Sequence, residues 1–234
     1  MRQATSRRSR TVGWACGVLA ILCRAVAAEE APKPQAQFTK PPPGAIVLFD
    51  GKDATEWTQM NGRPCPWKVK DGALVCVPLT GYIRSKKVFG DHKLHIEFKT
   101  PYMPKAKGQD RGNSGVFLQG RYEVQVLDSY GLDPLKKDDC GGLYGMIAPS
   151  TNACLPPNEW QSFDITFRAP RLDADKKTVQ KGRITVVQNG ITIIDDQEIP
   201  KANRHGDLGK PGPLVLQDHL CAVAFRNIWV LPLE

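Results

Sequence analysis

What most constrains this chain is a period of two. In residues 93–100, "KLHIEFKT", Leu94, Ile96 and Phe98 alternate with Lys93, His95, Glu97 and Lys99, as a strand with one buried face requires. Phe163, Ile165 and Phe167 repeat the pattern in "SFDITFRA". Residues 183–195 read as two strands around Asn189-Gly190, and residues 67–77 as two around Asp71-Gly72, pairs that suit tight hairpin turns. Residues 212–233 hold two more. Beyond the start of the chain, no window of twelve residues sustains a 3.6-residue apolar period. Many short strands with Gly and Pro turns therefore predict an all-β sandwich.

The first 28 residues stand apart. Arg2, Arg7, Arg8 and Arg10 come with no acid, an apolar run too short to span a bilayer comfortably follows, and "AVAA" offers cleavage after Ala27 or Ala28. This predicts an export signal over 1–28, a secreted or periplasmic mature protein, and no transmembrane helix once the signal is gone. A twin-arginine route through Arg7-Arg8 or a lipoprotein site at Cys23 fits the flanking residues less well. Five of the arginines behind the formal charge of +8 lie in this segment, leaving +3 on the rest. No basic block with interleaved aromatics remains, so nucleic acid is not expected as a partner.

Residues 29–43, "EEAPKPQAQFTKPPP", are too rich in Pro and charge to bury much apolar surface and read as a disordered lead. Residues 44–234 suffice for one domain. Five cysteines (65, 76, 140, 154, 221) follow the signal, an odd number for an oxidising compartment. The pairs close in sequence are Cys140 with Cys154 and Cys65 with Cys76. Their spacing resembles no zinc site.

Residues 112–131, "GNSGVFLQGRYEVQVLDSYG", put polar groups into an apolar stretch. Glu123 and Gln125 share one strand face while Tyr122, Val124 and Val126 fill the other, so the two polar side chains would project from the sandwich as a site. The plainer reading is a solvated face with Glu123 paired to a basic neighbour. Asp128, at odd spacing from Glu123, joins it only if the strand bulges near Leu127. Gln217 and His219 are likewise two apart, and His219 is the best general acid/base candidate, because imidazole is the side chain suited to proton transfer at neutral pH; its plainer reading is a turn histidine in "QDHLCA". His92, His95 and His205 lack such company and read as bystanders. Asn113 serves a turn or binds substrate. Trp57, Trp67, Trp160 and Tyr144 are core by default and sugar platforms at best. "DGKD" at 50–53 reads as a turn rather than a calcium loop.

Several segments carry a resemblance: "GAIVLFDGKDATEW", "NSGVFLQGRYEVQVLDSYG", "GGLYGM", "NEWQSFDITFRAP" and "GPLVLQDH" with "FRNIWV", in that order. Together they resemble the 3-keto-disaccharide hydrolase domain family over Gly44 to Leu233. The resemblance implies a concanavalin-A-like jelly roll of two antiparallel sheets and hydrolysis of 3-keto glycosides delivered by a separate sugar oxidoreductase. A C3 ketone acidifies the C2 proton, so the C1 substituent can leave by elimination, with water adding back. That route needs a base, a group to hold the enolate oxygen and an acid for the leaving oxygen. Catalysis is expected from Glu123, His219 and Asp128, with Asn113, Gln125, Gln217 and Arg226 binding substrate. Arg226 enters only through the family motif. No cofactor is expected, though Glu123, Asp128 and His219 leave room for a divalent metal. The rivals are a secreted carbohydrate-binding module with the same fold and a structural envelope domain.

Overall fold

The computed structural model describes residue 1 and residues 32–233, so the export-signal segment falls outside the described residues apart from Met1. Fifteen strands form among them: β1 (Ile46–Phe49), β2 (Trp57–Gln59), β3 (Lys68–Lys70), β4 (Ala73–Val75), β5 (Ile83–Phe89), β6 (His92–Lys99), β7 (Ser114–Leu118), β8 (Tyr122–Val126), β9 (Gln161–Arg168), β10 (Arg171–Leu172), β11 (Thr178–Gln180), β12 (Arg183–Gln188), β13 (Ile191–Glu198), β14 (Gly212–Leu216) and β15 (Ala224–Pro232). One sheet runs β13-β12-β9-β6-β15-β4-β3, with β1 also on β15; the other runs β2-β5-β14-β7-β8; β10 and β11 form a ribbon. The strand pairs are antiparallel, giving the expected all-β sandwich. No helix among the described residues is long and apolar enough to cross a membrane.

Alternation decides what lies between the sheets. Leu94, Ile96 and Phe98 of β6 pack with Phe163, Ile165 and Phe167 of β9 and with Ile184 and Val186 of β12. Ile83, Val116, Leu118, Tyr122, Val124, Val126, Leu214 and Leu216 supply the core from the five-stranded sheet. At about 25 cal/mol per Å² of apolar surface removed from water, this shared layer is the main stabilising term. Hairpin register is fixed by turns whose two residues both have positive φ: Asn189 (50°) with Gly190 (79°), and Gln119 (51°) with Gly120 (65°). Asn189 does more than turn, because its buried side chain accepts from Ser162 N and donates to Ala153 O.

The outer face of the larger sheet departs from the sequence reading in two ways. Residues 35–39 of the lead, read as disordered, run along this face: Gln35 N donates to Asn189 O, Gln37 N to Ser162 Oγ, and Thr39 O accepts from Asn227 Nδ2 and Trp229 Nε1. Beneath them His95, read as an outward bystander, is fully buried. Its Nδ1 is 2.7 Å from Asp164 Oδ1, its Nε2 is 3.6 Å from Glu97 Oε1, and its ring stacks on Trp229. Burial opposes its protonation, but the hydrogen bond to Asp164 and the nearby Glu97 carboxylate raise its pKa above the ordinary histidine value. Period-two patterns report which way a side chain points. They are silent on whether another segment will cover it.

Candidate functional site

The face of the five-stranded sheet turned away from the core carries the polar side chains expected from residues 112–131. In the β7–β8 ladder Gly115 stands opposite Gln125 and Phe117 opposite Glu123, and these four share that face. Val215 of β14 pairs with Phe117 and with Arg84 of β5, extending it across two further strands. Glu123 and Gln217 are brought together: Gln217 Nε2 donates to Glu123 Oε1 at 3.2 Å and to Tyr82 Oη at 2.9 Å. Glu123 is only 7% exposed, which rules out the solvated reading.

Gly115 makes this crossing possible. A Cβ there would lie 2.5 Å from Glu123 Oε1 and 3.1 Å from a Phe117 ring carbon. The carboxylate therefore lies across the bare backbone of β7 to reach Gln217. Sequence reasoning passed over Gly115, although a glycine inside a strand, in phase with Asn113 and Phe117, signals close approach.

Arg204 was also missed. It lies between β13 and β14, where Asn203 anchors the chain: Asn203 N donates to Arg121 O, Asn203 Oδ1 accepts from Glu123 N, and Asn203 Nδ2 donates to Tyr144 O. The Arg204 guanidinium is thereby laid over two rings, 4.6 Å from the Tyr82 centroid and 4.5 Å from that of Phe117. No periodic pattern marks such a loop residue. Burial pushes the Glu123 carboxyl up to about 7, against the opposing pull of Arg204 and the Gln217 N–H. A carboxyl that titrates near neutrality beside a cation is suited to taking and returning a proton.

The amides form a second group. Gln125 Nε2 donates to Gln109 Oε1 at 3.0 Å and to Asn113 Oδ1 at 3.4 Å, while Asn113 Nδ2 donates to Gln109 O at 2.7 Å. Oε1 of Gln125 and of Gln217 are buried without a hydrogen-bond partner. Such acceptors are costly unless something donates to them. Next to Tyr82 and Arg204 an open cavity of about 330 Å³ is bordered by Met60, Asn61 and Thr80. A larger one, about 420 Å³, lies by Asp91, whose carboxylate is already paired with Arg168 and Arg171.

Three expected residues fall elsewhere. Asp128 follows the end of β8, where consecutive core residues Val126 and Leu127 interrupt the alternation; its carboxylate binds Arg111 Nη2 at 2.8 Å and Tyr130 N at 3.3 Å rather than Glu123. His219 does not extend the Gln217 face, because β14 ends at Leu216 and Asp218 turns the chain by accepting from Leu220 N and Gly81 N. His219 is half-buried in that turn. Arg226 belongs to the other sheet. Its Nε donates to Glu97 Oε2 at 2.6 Å and its guanidinium lies 4.0 Å from the Trp160 ring centroid. Strict alternation breaks just after it, since Asn227 has φ 45° and the register with β6 shifts between Arg226 and Trp229. As a result Ile228 is in the core while Asn227 bonds Glu97 on the outer face.

The aromatic candidates divide. Trp57 donates from Nε1 to Leu48 O within the core, and Trp67 stacks on Phe225. Trp160 stands on the larger sheet's outer face with Arg226 and Lys99, and Tyr144 is exposed. "DGKD" is a turn in which Lys52 pairs with Asp50 and Asp53 binds Thr55. Among the described residues no group of three or more His, Cys, Asp and Glu is placed to hold a metal ion.

Comparison with solved structures identifies relatives of the whole domain. A candidate glycosyl hydrolase from Parabacteroides distasonis is 35% identical, covers 88% of this chain and 94% of its own, and superposes with a TM-score of 0.77. A second from that organism, at 22% identity, covers 82% of this chain and 94% of its own with a TM-score of 0.61 and shows the same fold. A search of curated proteins returned no match. Residues 44–231 match the model of the 3-keto-alpha-glucoside-1,2-lyase-like domain, so the chain belongs to that family.

Proposed function

We propose that the protein cleaves 3-keto glycosides by 1,2-elimination followed by hydration, with Glu123 as the base. The observation that carries this reading is a buried carboxyl pushed up to about 7, held by Gln217 across Gly115 and faced by Arg204. The family description and the Parabacteroides distasonis relative support a carbohydrate substrate.

Ionised Glu123 takes the proton from C2, and the electron pair moves toward the C3 oxygen as an enolate. Arg204, which lies over Tyr82 and Phe117 and acts on Glu123, would stabilise this charge. The enolate collapses to a C1–C2 double bond, and the C1–O bond breaks with its electrons on the leaving oxygen. Tyr82 protonates that oxygen. Its Oη accepts from Gln217 Nε2, which leaves its own proton free to donate. Water then adds at C1 while a proton returns to C2, giving the free 3-keto sugar. The cavity beside Tyr82 and Arg204 would hold the departing group. A separate oxidoreductase would supply the ketone, and the export expected from residues 1–28 would set the reaction outside the cytoplasm.

The test is incubation with a 3-keto disaccharide in deuterated water. Released sugar carrying deuterium at C2, no turnover of the unoxidised disaccharide, and loss of both signals in Glu123→Gln are expected. Equal cleavage of the unoxidised sugar, or release without C2 exchange, overturns the elimination. Binding without turnover supports the carbohydrate-binding reading instead.

A further inference from the structure

Two thiols outside this site share a buried pocket. Cys140 lies in the segment after β8 and Cys154 in the segment entering β9; both are buried. Buried Gln188 places Nε2 3.6 Å from Cys140 Sγ and 3.3 Å from Cys154 Sγ, so one donor spans both sulfurs. Burial holds Cys140 protonated, and its hydrogen bond to Cys154 draws the Cys154 thiol down. The other sequence-close pair is not formed in this way: Cys76, in contact with the β15 side through its N–H to Val223 O, has Cys221 and Asp218 as its electrostatic neighbours.

We propose that Cys140 and Cys154 are a disulfide site, joined under oxidising conditions, that fastens the border of the Glu123 strand to the segment entering β9. The border is residues 141–144: Gly141 N donates to Gln125 O, Gln125 N to Gly142 O, and Tyr144 N to Glu123 O. They stand where the five-stranded sheet would otherwise end. A link at Cys140 holds them to β9 of the opposite sheet through Cys154, so the strand bearing the carboxyl and its amide neighbour has a fixed partner on that side.

The chemistry is thiol–disulfide exchange with a small-molecule or protein disulfide. The Cys154 thiolate attacks the donor and releases one thiolate. Deprotonated Cys140 then attacks the mixed disulfide at Cys154 Sγ and releases the second. Two protein thiols and one donor disulfide become one protein disulfide and two donor thiols. Because both thiols are buried in the folded chain, the exchange runs while the chain folds.

The test is refolding of the reduced full chain in oxidised and reduced glutathione, followed by alkylation in denaturant and peptide mapping. A linked Cys140–Cys154 peptide is expected, with Cys65 alkylated. Dithiothreitol should then lower the melting temperature by roughly 5–10 °C, from the loop entropy released and the size of the domain. Cys140→Ala and Cys154→Ala should each abolish that response, and the double variant should add nothing. All five cysteines after the signal alkylated, a dominant Cys76–Cys221 link, or a dithiothreitol response that survives in Cys140→Ala overturns the proposal. The readout is covalent and needs no substrate, so it is independent of the assigned activity.

Discussion

Replacing Glu123 with Gln should stabilise the protein, and by an amount that depends on pH. The ordinary carboxyl value is 4.5 and burial carries Glu123 to about 7. Its ionised form therefore costs the fold about 3 kcal/mol, at 1.36 kcal/mol per pH unit. The sign follows from proton counts. Between pH 4.5 and 7 the folded chain keeps a proton that the unfolded chain has lost, so this stabilisation is complete below 4.5 and gone above 7. Glutamine has nearly the same shape, can still accept from Gln217, and carries no charge at any pH. Urea unfolding of both proteins from pH 4.5 to 8.5 at fixed ionic strength should show equal stability at the acid end. The variant should lead by about 2–3 kcal/mol at pH 8. The same substitution should abolish turnover, a stability gain traded for activity. A difference that is flat with pH, or largest in acid, would refute a desolvated Glu123.

Further outcomes follow from neighbouring contacts. Gly115→Ala would put a Cβ 2.5 Å from Glu123 Oε1, so the carboxylate must leave Gln217; kcat should fall about a hundredfold with circular dichroism unchanged. Arg204→Met removes the charge that pulls Glu123 down, so the acid limb of kcat/KM should move to higher pH, while Arg204→Lys should leave it near its original place. Removing residues 32–39 takes Thr39 O away from Trp229 Nε1 and from Asn227 Nδ2, which keeps only Glu97, and should cost about 2 kcal/mol in urea unfolding with little change in kcat. His95 has a raised pKa, so its stabilisation is present below its ordinary value of 6.5 and fades as pH rises through the folded one. In a Glu123→Gln background the remaining loss of stability above pH 6.5 should disappear in His95→Gln.

The sandwich was legible because alternation and turn pairs are local properties. Leu94 to Phe98, Phe163 to Phe167 and the Asn189-Gly190 hairpin all lie where their patterns predict. The Glu123–Gln217 contact was legible for the same reason, since Glu123 sits out of phase with the core residues of β8 and Gln217 directly follows Leu216 at the end of β14, where its N–H still donates to Gly115 O. His219 and Asp128 were misplaced where strands end, as parity has no meaning past the last ladder residue. In β15 alternation is broken by Asn227 itself, a single left-handed residue that no local pattern announces. Arg204 gave no signal because its position depends on Asn203 reaching Tyr144 and Glu123, contacts far apart in the chain.

The segment at residues 35–39 bears on which partners the domain can accept. A two-layer β protein offers two broad outer surfaces, and sugars or other chains can settle on either. Here one is occupied from within: Thr39 satisfies Asn227 and Trp229, and Phe38 lies over Arg226. A guest would have to displace that tenant and meet Glu97, His95 and Asp164, whose charges already answer one another. Under the function proposed above, recognition is then expected to be one-sided, with a glycan meeting the surface that holds Glu123.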